Sequence, residues 1–421
     1  MMRKAVMPCE EPLATPLVKP SSGRGPKPMN RESRSLRICF VSPLGYGLYH
    51  PEAKVPFGGA EVQSYLSARA LARVPGFDVS VLTTVDGEPF TESIEGLRLI
   101  ARRTRGRLTE ESMDAIVSGS FAVRRYTGYM AALWEMWAQF RDIDADVYIH
   151  AGAGVEVGAY ALICRLLRRH FIYVIASSVD LTLPYGSVSG PLKWLYPFGM
   201  RHARAVICRT EDQQAALHHG YRRHGIVIRT AHPIPPMSSV KRRSVLWAGR
   251  IHPLKQPRLF LDLVERCPEQ THVMVGMRDS TQTELWESIC SRARGLPNLS
   301  FEPNLPLHRM DELFATARVF VNTSAYEGFP NTFVQATLSG VPIVSWTVNP
   351  DRILTDQRIG FCAEGSFDQL VLSVRRLSLD DRLYEDYARR ARTYGVEYHS
   401  LERSVSQLQE LLVSLAFSNP H

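Results

Sequence analysis

Arg250 and Lys255 in "VLWAGRIHPLKQP", and Glu327 in "SAYEGFPNTFVQATLSGVPIV", are charged residues placed just after runs that read as buried strands. A guanidinium offers paired hydrogen bonds and an ammonium a compact charge, so the two over a helix start form a receptor for a pyrophosphate. Alone, an Arg and a Lys in a loop are ordinary solvated charges. What changes the reading is that Glu327 falls on the same edge. "RVFVNTS" is a Val- and Phe-rich run without a breaker, a strand ending near Thr323. "NTFVQATLSG" then sets Phe333, Val334, Thr337 and Leu338 on one helical face, offers Asn331 as a cap and stops at Gly340, and "VPIVSW" is the next strand. Strand, helix and strand in so few residues make a right-handed parallel crossover. The Glu327 turn therefore lies at a strand's carboxyl end, where open α/β sheets bind ligands. In the first half, "VPFGGAEVQ" sets Gly58 and Gly59 before a helix, where bare backbone can approach a phosphate. A plain loop-to-helix junction, with Glu61 favoured by the helix dipole, fits that motif equally.

The elements that must position these residues alternate along the chain. From Leu36, "LRICFVSP", "VSVLTT", "VYIHAG", "FIYVIAS" and "AVICRT" read as strands, interleaved with helical stretches such as "AEVQSYLSARALAR" and "VGAYALICRLLRR". "TAHPIPPMSSVKRRS", 230–244, collects prolines, hydroxyls and cations as a linker does. A second series runs from "VLWAGR" through "HVMVG", "LSFEP", "VFVNTS" and "VPIVSW" to "SLERSVSQLQELLVSLAF". The expected fold class is α/β, with two Rossmann-like doubly wound parallel-sheet domains facing across a cleft. Their bounds are 36–235 and 236–395, and a C-terminal helix in 396–421 returns to the first domain.

Length and composition set limits. A chain of 421 residues is too long for one core, and 45% apolar residues suffice for two. No apolar run approaches the roughly 20 residues of a membrane span, and "YMAALWEMWAQF" is interrupted by Glu135. The seven cysteines are scattered and never spaced as Cys-x-x-Cys, which fits core filler in a reducing cytosol rather than a disulfide framework or zinc site. Residues 1–35, rich in Pro, Lys and Arg, are expected to be a disordered basic tail and make a poor secretory signal. The tail carries +4 of the net +8, so the body is not basic enough for a nucleic-acid stripe, while an anionic substrate or an acidic membrane surface stays open.

Other residues are weighed against simpler readings. His150 ends a first-domain strand and could touch an acceptor, although an imidazole in an apolar strand is more often hydrogen-bonded structure. "YTGYMAALWEMWAQF" reads as a packed face before it reads as a lipid contact, and "ARRTRGR", 101–107, as a solvated loop. "DIDAD", 142–146, has the Asp-x-Asp spacing of a metal site but precedes a strand, at the wrong end of the sheet for a ligand.

In "GGAE", "AGRIHPLKQP" and "YEGFPNTFVQATLSGVPIV", taken in that order, the chain resembles the family 4 glycosyltransferases. These are retaining enzymes of the GT-B fold that move a sugar from a nucleotide-sugar donor. The resemblance runs from about Leu36 to Leu412 and implies that Arg250 and Lys255 bind the donor diphosphate. It implies that Glu327, with the backbone of Gly328, Phe329 and Pro330, holds the donor sugar, and that Gly58, Gly59 and Asn331 belong to the donor-binding site. Where the family has a second Glu for the ribose this chain has Gln335, in a subgroup pattern "EGFPNTFVQA". Where the family has a His-Asp pair this chain has "ASSVDL", so Ser177 and Asp180 take the acceptor-side place with His150. The resemblance further implies no cofactor and no metal, a UDP- or GDP-sugar donor, and a glycan or lipid-linked acceptor in polysaccharide or glycoconjugate biosynthesis. The expected setting is the cytoplasm, with possible peripheral association at the inner membrane face. A nucleotide-sugar-binding protein of the same fold without turnover is the alternative. A nicotinamide dehydrogenase fits less well, because "GYGLYH" lacks the third glycine of the dinucleotide fingerprint.

Overall fold

Alternation along the strands decides the layers. In β1 (Leu36–Val41), Ile38 and Phe40 join one apolar layer while Cys39 and Val41 join the other, so the strand is buried on both faces. The structure, a computed structural model, describes residues 35–53, 55, 57–103, 123–182, 194–238, 240–279, 281–306 and 309–416. The tail expected over 1–35 lies outside the described residues, all but Ser35.

The first sheet has eight strands: β1, β2 (Phe77–Val85), β3 (Phe90–Ile94), β4 (Leu97–Arg103), β5 (Val147–Ala151), β6 (His170–Val174), β7 (Ala205–Cys208) and β8 (Ile226–Val227). Their order is β3-β4-β2-β1-β5-β6-β7-β8. All neighbours are parallel except β3 and β4, an antiparallel hairpin absent from the sequence reading. Its turn is Glu95 and Gly96, both at positive φ, the two-residue geometry that matches strand twist. The hairpin also corrects the expected loop at 101–107: Ala101, Arg102 and Arg103 end β4, and the rest of that run lies outside the described residues.

The second sheet is wholly parallel, with β9 (Ser244–Arg250), β10 (His272–Met277), β11 (Leu299–Pro303), β12 (Ala317–Asn322), β13 (Ile343–Ser345) and β14 (Gly360–Cys362) in the order β11-β10-β9-β12-β13-β14. Phe260, Leu263 and Val264 of the helix Pro257–Arg266 cover one face. Phe333, Val334 and Leu338 of the helix Asn331–Leu338 cover the other. Strand order reverses between β9 and β12, so the crevice at their carboxyl ends is the switch point of this sheet.

Ser35–His421 is one compact unit. Two crossings link its sheets, and they are bonded to each other. The His232 N–H donates to the His399 carbonyl at 3.1 Å, and Leu401 N–H donates to the His232 carbonyl at 3.0 Å. Beyond the second crossing the helix Leu401–Ala416 lays Val405, Leu408, Leu412 and Leu415 against the layer of Ile38 and Phe40 in the first sheet. The six described cysteines are free, and Cys39, Cys164, Cys208 and Cys267 are buried.

Candidate functional site

Arg250 is the last residue of β9, and the chain after β12 reaches Glu327 across the switch point. The loops after the two strands are tied together. The Thr323 hydroxyl donates to the Lys255 carbonyl at 2.7 Å and accepts from the Trp247 indole N–H at 2.8 Å, and Ala325 N–H donates to the Leu254 carbonyl at 2.9 Å. This frame delivers Lys255 to Glu327 as an ion pair, and the Ser324 hydroxyl donates to the same Glu327 oxygen at 2.8 Å. The carboxylate thus stands in an apolar turn because a cation and a hydroxyl from the frame meet it there. Arg250 reaches toward the first domain: its Nη2 donates to the Phe57 carbonyl at 3.1 Å, and Nη1 lies 3.8 Å from the Asp279 carboxylate. Burial pushes the Asp279 carboxyl up, but hydrogen bonds from Thr281 and the charge of Arg250 outweigh it and hold the group below its ordinary pKa.

On the first domain, Gly58 caps the helix Gly59–Ala72, its N–H donating to Glu61 at 2.9 Å. A Cβ on Gly59 would sit 2.8 Å from Asn331 Nδ2, so a larger residue there would displace that amide. Asn331 was expected to cap its own helix. Instead Pro330 precedes that helix as its cap residue, and the Asn331 amide donates to the Gly59 carbonyl at 3.0 Å and accepts from Gln63 at 2.8 Å. Gln63 also grips Ala231 of the linker, donating to its carbonyl at 2.9 Å and accepting its N–H at 3.0 Å. Gly328 is more tightly confined, because a Cβ would approach the Ala176 backbone carbonyl to 2.6 Å.

A cleft of about 600 Å³ brings Gly58, Gly59, Arg250, Lys255, Glu327 and Gln335 together, with Gly328, Phe329, Asn331 and Ser177 along its walls. Val275, Met277, Leu305 and Met310 give it one apolar side. Gln335 is buried, and its amide is in hydrogen-bonding reach of the Asp311 carboxylate. Asp180 turns away from the cleft: its Oδ2 accepts the N–H groups of Ala176 and Ser177, both at 3.0 Å, and burial pushes its carboxyl up. His150 is buried, with Nδ1 2.8 Å from the Val41 carbonyl and its ring edge-on to Tyr160, and it does not line the cleft. In "DIDAD", Asp144 and Asp146 pair with Arg37 and Arg169, Asp146 at 2.9 and 3.0 Å, where β5 begins.

Among the cleft residues that sequence reasoning missed are Gln63 and Arg209. Gln63 lies one helical turn after Gly59, a spacing that puts both on one face. Arg209 follows the buried run "AVIC" just as Arg250 follows its own strand.

Residues 242–380 match the family model described as glycosyl transferases group 1. The matched segment contains Arg250, Lys255, Glu327, Asn331 and Gln335, whereas Gly58, Gly59, His150, Ser177 and Asp180 lie before it. No curated protein matches the chain in sequence. Among solved structures, the chain is similar to a sucrose-phosphate synthase from Thermosynechococcus elongatus, with a TM-score of 0.67 and 15% identity over 90% of this chain and 99% of that one. It is similar to HepE of Anabaena, solved in complex with UDP and glucose, with a TM-score of 0.63 and 16% identity over 90% of this chain and all of that one. It is also similar to a UDP-forming trehalose-phosphate synthase from Burkholderia xenovorans, with a TM-score of 0.65 and 12% identity over 91% of this chain and all of that one. The two doubly wound sheets and these likenesses give the GT-B fold.

Proposed function

We propose that the chain is a retaining glycosyltransferase of family 4 that moves a sugar from a nucleotide-sugar donor to a glycan or lipid-linked acceptor. The observation that carries the reading is the Arg250, Lys255 and Glu327 cluster at the switch point of the sheet whose segment matches the glycosyl transferases group 1 model, facing the Gly58–Gly59 helix start across one cleft. Arg250 and Lys255 neutralise the diphosphate as it leaves, while Glu327 accepts hydrogen bonds from sugar hydroxyls. Its present partners, an ammonium and a hydroxyl, are the groups that a donor's phosphate and sugar would rearrange. The departing diphosphate helps to accept the acceptor's proton on the same face of the sugar, so the protein needs no nucleophile. With two cations on the leaving group, no metal is required.

The acceptor belongs on the first domain. The helix Val123–Ile143 buries Phe140 but leaves Trp134 67% and Met130 53% exposed, which supports a lipid-linked acceptor met at the cytoplasmic membrane face. Among the described residues no helix is long and apolar enough to cross a membrane. The similar structures with UDP in their descriptions favour starting from UDP-sugars. A screen of UDP- and GDP-sugars, scored by released nucleoside diphosphate with and without EDTA, tests the reading. Release from one donor, unaffected by chelator and giving a product of retained anomeric configuration, is expected. Donor binding without release would make the chain a binding protein, and loss of activity in EDTA restored by manganese would overturn the metal-independent mechanism.

A further inference from the structure

Arg209 lines the cleft from the first-domain wall, at the carboxyl end of β7, and nothing in the proposed transfer uses it. Its Nη1 donates to the Ile228 carbonyl at 3.0 Å and its backbone N–H to Gln213 Oε1 at 2.8 Å. Some other partly buried arginines hold carboxylates, as Arg37 holds Asp146 and Arg229 holds Asp351, while Arg223 and Arg242 donate to backbone carbonyls as Arg209 does. Among the described residues no carboxylate pairs with Arg209, and burial lowers its pKa to about 10. A guanidinium partly removed from water without a counter-ion is costly to the fold.

A second observation lies one helical turn away. Gln213 is 1% exposed; its Oε1 serves the Arg209 N–H, and its Nε2 has no hydrogen-bond partner. That nitrogen faces the donor-side loop, 3.2 Å from where a Cβ on Gly328 would sit. The amide is enclosed behind the wall that Arg209 lines, where it braces the Arg209 backbone, and the guanidinium is the group that meets the cleft. What it lacks is a multidentate oxyanion.

We infer that Arg209, its backbone braced by Gln213, is a receptor for an anionic group, a phosphate or a carboxylate, carried by the acceptor. The inference rests on the glycosyltransferase reading for the word acceptor, while the anion site itself stands on Arg209. A charged acceptor anchored there would present a hydroxyl toward the donor sugar held at Glu327. Neutral acceptors would forgo the anchor.

The test is calorimetry on the full chain saturated with UDP, so that the donor-side cations are occupied. Inorganic phosphate and acetate are titrated first, then a hexose 6-phosphate, a hexuronate and the neutral hexose. Wild type should bind phosphate or carboxylate probes, and the stronger arm identifies the group. Arg209→Gln should weaken that binding by about tenfold or more, with UDP affinity held within about threefold, and Arg209→Lys should recover part of it. A melting curve of Arg209→Gln beside that of wild type separates loss of the site from loss of the fold. The proposal is overturned if wild type binds no anionic probe, if Arg209→Gln binds as wild type does, or if UDP affinity falls in step with anion affinity. Should wild type fail to bind UDP or GDP, the glycosyltransferase reading falls separately. Phosphate is then titrated into Arg250→Ala/Lys255→Ala protein, where binding lost on adding Arg209→Gln still supports the anion site and its absence overturns it.

Discussion

Glu327 has two partners in the protein, Lys255 and Ser324, and in the proposed reaction it takes a third, the donor sugar. Glu327→Gln keeps the shape but loses the charge that orders Lys255, so kcat should fall more than nucleoside diphosphate affinity, read by steady-state kinetics beside calorimetry. Equal losses would move Glu327 away from the sugar. Gln335 poses a different question, because its amide lies in reach of Asp311. Gln335→Glu would set two carboxylates together near a diphosphate, so donor affinity should drop. Gln335→Leu should cost about 1–3 kcal/mol through unpaired hydroxyls. Donor binding by the Glu variant tighter than wild type would show that Asp311 does not govern the position. Arg250, Lys255 and Glu327 were legible in the sequence because charges that end buried strands are conspicuous. Arg209 obeys the same rule, yet its strand was read only as a strand. Gln63 was not legible, since its partners Ala231 and Asn331 lie 168 and 268 residues away.

At the scale of elements, Gln63 joins the Gly59 helix, the linker and the donor-side helix in one knot. Gln63→Leu leaves the Ala231 N–H and carbonyl buried and unpaired, and should destabilise the fold by about 1–3 kcal/mol. Because Asn331 shares the knot, the double variant with Asn331→Ala should cost less than the sum of the single ones by at least about 0.5 kcal/mol, measured by urea unfolding. Strict additivity would contradict a shared network. The parallel strands and their crossovers could be read from apolar runs, but the β3–β4 hairpin could not. Glu92 interrupts the apolar row of Phe90 and Ile94 at the sheet edge, and only the Glu95–Gly96 turn marks it. Asn331 misled for a physical reason: a residue type suited to capping its own helix is equally suited to bonding a facing backbone, and the Gly59 carbonyl wins.

Across the whole molecule, the two crossings carry His232 and His399, both buried, each with an Nε2 that has no partner. Burial lowers their pKa values to about 4 and about 3, and that of His272 to about 4. In the unfolded chain these imidazoles take up protons below about pH 6.5. The unfolded state therefore binds more protons across that window, and stability is full above it and lost as pH falls toward 4. Melting temperature should stay level from pH 8 to about 6.5 and decline below, before the carboxylates titrate, and a rise on mild acidification would contradict the buried neutral imidazoles. The same crossings hold the two halves of the cleft in register, so that the cations of one domain face the glycine loop of the other. The most direct test of that arrangement is nucleoside diphosphate release from the cognate donor by wild type, Arg250→Ala and Lys255→Ala. Each substitution removes a charge-assisted contact that strengthens as the leaving group departs, and should lower kcat/KM by roughly 10² to 10³. Near-normal turnover by both variants would contradict the account.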